Sequence, residues 1–355
     1  MAETKFMKGN EALAEAMIRA GCDAYFGYPI TPQSEVLEYL SLEATKRTGM
    51  VVLQAESEVA AINMIYGAAG AGKRVMTTSS SPGISLMQEG ISYIASAELP
   101  CLLANVNRGG PGLGTIQPAQ GDYFQAVKGG GHGDYHLLVL APSTVQEMVD
   151  FVKLGFELAE KYRTPAMILA DGAIGQMKEK VTFFPQMERI DRNYDWATTG
   201  RPKDKIRRYV TSLHIEPERM EKINLRLQEK YKKMKEEETR YESLHLDDAE
   251  YIFTGYGLAA RIAEKAMDMG RAKGYKIGLI RPQTLFPFPT EIYKSMAPKV
   301  KGILDVEMNT GQMIEDVKLA SEFKTRVEFY GRCGGMIPSP DEILDNFENY
   351  FIKEN

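Results

Sequence analysis

Glu58 stands in the stretch AESEVAAINMIYGAAGAG, just after the apolar run VVLQ at residues 51–54. A helix from about Ser57 to Ala69 sets its carboxylate in the first helical turn, where it complements the positive end of the helix. On residue physics alone that placement is the reading of Glu58; what else the carboxylate does depends on the company it keeps. Thr31 in GYPITPQSE reads as a helix N-cap, with Pro32 at the first helical position. Its hydroxyl, beside free N–H groups at a positive helix end, makes an anion site. Arg108 ends the strand pattern PCLLANVN and enters a Gly/Pro/Gln loop running to Gly121. A strand-end arginine is either solvated and ion-paired, or a charged donor to an anion. His132 and His136 are four apart, but GGGHGDYH is broken by glycines, and that spacing converges on a metal only in a helix. No metal site is expected in this chain.

IYGAAGAGKR, from Ile65 to Arg74, imitates a phosphate-binding loop. Such a loop lies between a preceding strand and a following helix. Here a helix runs in and a strand leaves, and Arg74 stands where a Ser or Thr should meet magnesium. These glycines read as close packing and a helix stop. GYG at 255–257 lacks the G-x-G-x-x-G pattern of a dinucleotide site.

These residues need a scaffold, and the chain supplies a periodic one. Asn10 reads as the N-cap of a helix over Glu11–Ala20, and Gly21 as its stop. Strands follow at AYFGY, VVLQ, RVMTTSS, PCLLANVN, LLVLAP and PAMILA, with helices between them. Alternation of this kind predicts an α/β fold, a mostly parallel sheet covered on both faces. The pattern breaks near Met177. A polar stretch to about Asp248 contains EPERMEKINLRLQEKYKKMKEEETRYES, which reads as a solvated helix, an arm or interdomain bridge. Alternation resumes at YIFTGYG and continues through YKIGLI, GILDVE and RVEFYG to a helix over Asp341–Phe351.

The 355 residues suit two domains and a large core, with 44% hydrophobic residues. A net charge of -5 argues against a dedicated nucleic-acid binder. No apolar run is long enough to span a bilayer, and the N-terminus lacks a signal-peptide core. The expectation is a cytoplasmic protein with no nucleic-acid or membrane partner. The three cysteines, Cys22, Cys101 and Cys333, are far apart. They cannot form a four-cysteine cluster site within one chain.

The spacing from Glu58 to Gly67 resembles the pyrimidine-binding domain of thiamine-diphosphate enzymes, where a Glu starts a helix nine residues before a Gly. GYPITPQSE, SSSPGISLMQEGISY, NVNRGGPGLGT and LAPSTVQEM together resemble the alpha subunit of 2-oxoacid:ferredoxin oxidoreductases. The resemblance covers essentially the whole chain and ends in GRCGGMIPSPDEI. It implies a pyrimidine-type thiamine-diphosphate domain over 1–180, a charged linker over 181–247, and a smaller transketolase C-terminal-like α/β domain over 248–355. GTIQPAQGDYFQAVKGGGHGDYH is most similar to the branched-chain (3-methyl-2-oxobutanoate) type.

By this resemblance, Glu58 bonds N1′ of the aminopyrimidine and favours the imino tautomer of its 4′-amino group. Thr31 and Arg108 contact the substrate carboxylate, and Tyr28, Pro29 and Ile30 wall that site. Pro29, Ser81, Pro82, Gly83, Gln120 and Asp122 are expected to line the cofactor cleft. The implied reaction turns a 2-oxoacid, coenzyme A and oxidised ferredoxin into acyl-CoA, carbon dioxide and reduced ferredoxin. The chain has no G-D-G motif to hold a diphosphate and magnesium. A beta subunit should therefore complete the thiamine-diphosphate site and carry Mg2+, with [4Fe-4S] clusters on partners. Gamma and ferredoxin-like delta subunits are implied as well. Alternative substrates are 2-oxoglutarate, pyruvate or an arylpyruvate, and a non-catalytic scaffold subunit is the reading from another class.

Overall fold

The computed structural model describes residues 3–200 and 207–353. The parts of the expected linker and chain ends at 1–2, 201–206 and 354–355 lie outside them. The first half runs β1 (Glu3–Lys8), α1 (Gly9–Arg19), β2 (Ala24–Gly27), α2 (Ser34–Thr48), β3 (Val51–Gln54), α3 (Glu58–Gly70), β4 (Val75–Ser79), α4 (Ser81–Ser96), β5 (Cys101–Asn107) and α5 (Tyr123–Val127). Next come β6 (Leu138–Leu140), α6 (Val145–Tyr162), β7 (Pro165–Asp171), α7 (Gly172–Gln176), β8 (Lys178–Phe183) and α8 (Pro217–Glu237). The remainder is β9 (Tyr241–Leu244), β10 (Tyr251–Thr254), α9 (Gly257–Ala272), β11 (Ile277–Pro282), β12 (Thr284–Phe286), α10 (Thr290–Met296), β13 (Gly302–Glu307), α11 (Met313–Ala320), β14 (Arg326–Gly331) and α12 (Pro340–Phe347).

Two sheets carry the molecule. The larger has the order β12-β6-β7-β5-β4-β2-β3, and the smaller β14-β13-β10-β11-β9. All pairings in the larger sheet are parallel except that of β12 with β6. Helices cover both faces, so the central strands must be apolar throughout. Every residue of β5 and β7 is buried.

β2 connects outward to β3, whereas β4 connects the other way to β5. The loops leaving β2 and β4 therefore diverge, and a crevice opens between them at the carboxyl ends of the strands. Open α/β sheets bind their ligands at such a point. Glu58, Thr31 and Ser81–Gly83 all belong to loops or helix starts at this edge. α3 enters the GAAGAG turn and β4 leaves it, an order that excludes a phosphate-binding loop there.

The structure corrects five local expectations. VVLQ is an edge strand: Val51 and Leu53 are 51% and 41% exposed. An apolar run does not reveal its place in the sheet order. α1 starts at Gly9, and Asn10 is not its cap; the fully buried Asn10 amide donates to the Pro32 carbonyl at 2.6 Å and to Glu35 at 2.9 Å. α2 starts at Ser34 rather than at Pro32, so Thr31 caps nothing. Gln33 causes the delay: its N–H closes a turn on the Ile30 carbonyl, and its buried side chain accepts from Thr78 at 2.5 Å. α8 is not solvated all round. Ile223, Leu227, Tyr231 and Met234 form one buried stripe at helical spacing under a charged exterior. β1 and β8, which the alternation did not suggest, pair antiparallel.

Several contacts tie the second sheet to the first, and two of them lie together at one corner. β12 lends itself to the β6 edge. Beside it, Arg281 of β11 makes a two-pronged ion pair with Glu147 of α6, at 2.7 and 2.9 Å.

Candidate active site

β4 reads VMTTS, and all five residues are buried. An apolar strand that ends in hydroxyls leaves them without strand partners. Thr77, Ser79 and Ser80 each have a buried side-chain oxygen with no hydrogen bond among the described residues. An unsatisfied buried polar group costs about 1–3 kcal/mol. A cluster of them where two loops diverge is what a ligand-binding crevice requires.

Glu58 overlooks this strand end. Ser57 caps α3 by accepting from the Ala60 N–H, which fixes the first turn and aims the Glu58 side chain. The residue is only 6% exposed, and its carboxylate makes no hydrogen bond among the described residues. It lies over Gly83, near the start of α4. A Cβ on Gly83 would stand 2.6 Å from Glu58 Oε1 and 2.1 Å from Ser79 Oγ. The absence of a side chain at position 83 makes the space in which the carboxylate sits.

A continuous set of contacts leads from there to Thr31. Pro82 lies in the first turn of α4, next to Ser81. Ser81 Oγ accepts from the Arg108 N–H at 3.0 Å and donates to Asn107 Oδ1 at 3.2 Å. The Arg108 guanidinium donates to the Thr31 carbonyl at 2.8 Å and to the Leu113 carbonyl at 3.0 Å, while its buried Nε has no partner among the described residues. Arg108 is therefore a tie between the loop after β2 and the loop after β5, with its Nε donor among the three N–H groups not used in that tie. Tyr28, Pro29 and Ile30 lead into Thr31, and Pro29 and Thr31 are exposed. Asp122 accepts from Asn105 Nδ2 at 2.7 Å, and burial raises its carboxyl above the usual range.

Gln120 is placed elsewhere. Its amide donates to the Tyr256 carbonyl at 2.7 Å and accepts from the Met308 N–H at 3.0 Å. Both of its polar atoms hold the second sheet, at the ends of β10 and β13. His136 stacks on Phe286 of β12 with ring centroids 4.1 Å apart, and Ser92 bonds the His132 carbonyl. Among the described residues, no cluster of His, Cys, Asp or Glu is placed to hold a metal. Sequence reasoning passed over Ser79, Ser80 and Gln33. The signal was available in TTSSS, a run of hydroxyls closing a buried strand.

The fold and this crevice define a parallel α/β protein with a recessed, unbonded carboxylate at its switch point. Residues 15–245 match the family model described as pyruvate flavodoxin/ferredoxin oxidoreductase, thiamine diphosphate-binding, and residues 249–343 match pyruvate:ferredoxin oxidoreductase core domain II. The chain is 48% identical to ketoisovalerate oxidoreductase subunit VorB of Methanothermobacter thermautotrophicus, covering 96% of each. It is 36% identical to 2-oxoglutarate synthase subunit KorA of Methanocaldococcus jannaschii, over 96% of this chain and 98% of that one. The structure superposes with a TM-score of 0.85 and 26% identity on a 2-oxoglutarate:ferredoxin oxidoreductase from Magnetococcus marinus, spanning 98% of this chain but 65% of that longer one. The chain belongs to the 2-oxoacid:ferredoxin oxidoreductases, thiamine-diphosphate enzymes in which it is one subunit of a complex. Between the two relatives named, it shares more with the ketoisovalerate subunit than with the 2-oxoglutarate one.

The residues at the crevice fit the family cofactor on the observations above: a buried carboxylate without a partner, a glycine cradle that a Cβ would fill, and orphaned hydroxyls. Gly83→Ala tests the cradle. The new methyl meets Ser79 Oγ and both Oε1 and, at 2.9 Å, Cγ of Glu58, so the Glu58 side chain must turn from its stem; the preference of a helix for alanine over glycine, about 1 kcal/mol, offsets part of that cost. The carboxylate must move, so turnover of the assembled enzyme should fall by about tenfold or more in a variant that still folds. Unchanged turnover would show that the close approach of Gly83 to Glu58 has no catalytic use.

Proposed function

We propose that the chain is the pyrimidine-side subunit of an enzyme that oxidatively decarboxylates a branched-chain 2-oxoacid, 3-methyl-2-oxobutanoate, to acyl-CoA and carbon dioxide, with electrons passing to ferredoxin. The observation that carries this reading is the unbonded, recessed Glu58 carboxylate over Gly83, in a chain 48% identical to a ketoisovalerate oxidoreductase subunit. Bound thiamine diphosphate supplies the electron sink for decarboxylation. Glu58 would hold a ring nitrogen of the cofactor, and the Ser79 and Ser80 hydroxyls lie at the end of the neighbouring strand. The Thr31 hydroxyl and the positive charge of Arg108 favour a substrate carboxylate at the mouth. Pro29, Ser81, Pro82 and Asp122 frame the cofactor side, and Tyr28 and Ile30 the substrate side.

A beta subunit supplies the diphosphate grip and Mg2+, and partners carry the [4Fe-4S] clusters. Two features support this division. The sequence has no G-D-G, and β3, α3 and α4 carry exposed apolar residues, Val51, Leu53, Val59, Met64 and Leu86. Gamma and ferredoxin-like delta subunits complete the complex. No helix of the described residues is long and apolar enough to cross a membrane, which accords with a cytoplasmic enzyme.

Anaerobic, CoA-dependent viologen reduction by the co-expressed complex, run across a panel of 2-oxoacids, tests the substrate. The expected result is a kcat/KM for 3-methyl-2-oxobutanoate at least about tenfold above those for 2-oxoglutarate and pyruvate, the range that a hydrophobic pocket can discriminate. A preference for 2-oxoglutarate would retain the chemistry and replace the substrate. The 36% identity to a 2-oxoglutarate synthase subunit gives that second reading its weight.

A further inference from the structure

The strands β5 and β7 begin at the edge of the sheet opposite Glu58, and there a second cavity opens, of about 630 Å³. That volume lies within the usual range for small-molecule sites. Three separate parts of the chain wall it: the turn after α4 at Glu98, the turn after α6 at Arg163, and α8 with the coil leading into it.

The charge on these walls is one-sided. Arg163, Arg219, Lys222 and Arg226 line the cavity, against Glu98 as the one acidic lining residue among those described. Glu98 is already engaged, pairing with Arg226 and with Lys230, the latter at 2.8 Å. Arg219 and Lys222 form no ion pair among the described residues. Arg163 also lacks a carboxylate partner among them. Its Nε donates to the Glu98 carbonyl at 3.2 Å, and its guanidinium lies over Trp196 at 4.6 Å. Burial, with a smaller contribution from Arg226, holds its pKa below the usual value against the opposing charge of Glu98. His214 adds a buried Nδ1 with no hydrogen-bond partner among the described residues.

A row of cations on one exposed helix is ordinarily a solvated face. Three observations argue otherwise here. The cations converge from different elements onto a concave wall, which focuses their potential. The chain as a whole carries a net charge of -5, so the concentration is local. An orphaned imidazole nitrogen joins them. Trp196 is already stacked on Tyr194, at 4.9 Å, while Tyr209, which also lines the cavity, is exposed.

We propose that this cavity is a binding site for a small polyanion bearing a pyrophosphate group, with Arg163, Arg219 and Lys222 neutralising its charge. Guanidinium forks match phosphate oxygens in pairs. Inorganic pyrophosphate and a nucleoside diphosphate share this chemistry. The site stands whether or not the proposed substrate is correct.

Isothermal titration of the assembled complex, already saturated with thiamine diphosphate, tests the site with pyrophosphate and with ADP separately. Saturable binding is expected, weakened by about tenfold or more in Arg219→Ala/Lys222→Ala, since charge-assisted hydrogen bonds contribute about 1.5–3 kcal/mol. Both side chains are exposed, so truncation removes little packing. Lys232→Ala/Lys233→Ala, further along α8 and outside the cavity, should bind like the unaltered complex. Equal affinity for both ligands would assign recognition to the pyrophosphate alone, and tighter ADP binding would add a nucleoside contact; either supports the site. No saturable heat with either ligand, or equal weakening in both double variants, overturns the proposal.

Discussion

Replacing Glu58 by Gln should reduce kcat of the assembled enzyme by about 10²-fold or more, the range in which positioned acid–base groups act. The substitution keeps the size of the side chain and removes its charge. Fold and assembly should survive: α3 is capped by Ser57, and the Glu58 carboxylate has no protein hydrogen bond to lose among the described residues. The loss therefore falls on the ligand that the carboxylate faces. A direct binding measurement should show weaker retention of thiamine diphosphate in the same variant, a readout independent of turnover. A scaffold subunit would behave differently, keeping both turnover and cofactor affinity, and that outcome would remove Glu58 from the site. On the proposed division of the site between subunits, the isolated chain should bind the cofactor poorly in either form.

Glu147→Ala should lower the unfolding free energy by about 3 kcal/mol, because it leaves Arg281 half-partnered in the interior. Glu147 accepts from Arg281 twice, from the Ser143 N–H at 2.8 Å and from Gln283 at 2.9 Å. Arg281 is 5% exposed, and its other partner is Glu242 at 2.7 Å. That remaining pair keeps the expected cost at the low end of the range for a broken buried bridge. Burial alone would raise the Glu147 pKa. The hydrogen bonds and charge of Arg281 outweigh burial and hold it below 4.5. A depressed carboxyl stabilises the fold above its unfolded pKa and loses that effect as pH falls through the folded value. The stability gap between native protein and variant should thus be constant at neutral pH and shrink below pH 4.5. Thermal melts in the two pH ranges measure it. A gap that is absent at neutral pH would mean that the other contacts, such as β12 on β6 and Gln120 with Tyr256 and Met308, join the two sheets without this pair.

Much of the fold was legible because its elements are local. Alternating apolar runs and helical stripes located nearly every strand and helix around the crevice, and the helix-then-strand order around GAAGAG was enough to dismiss a phosphate loop. Glu58, Thr31, Ser81–Gly83 and Arg108 could be named from residue type and motif, and the structure brings them into one series of contacts. Gln120 could not be placed in the same way. A buried amide in a loop reads alike whether it faces a cofactor or a neighbouring sheet, and its hydrogen bonds to Tyr256 and Met308 span more than a hundred residues.

The sequence by itself determined the periodic scaffold, the family resemblance and the residue types at the crevice, because each of these rests on short-range patterns. Only the tertiary structure decided which apolar strand lies at an edge, which face of the charged α8 is buried, and where the unpaired groups collect. VVLQ and PCLLANVN are equally apolar, yet one ends the sheet and the other lies at its centre. The approach of Gly83 to Glu58 and the meeting of Arg163 with the cations of α8 likewise arise from long-range packing. Sheet order and side-chain proximity across distant segments are set by the whole packed core, which no local spacing records.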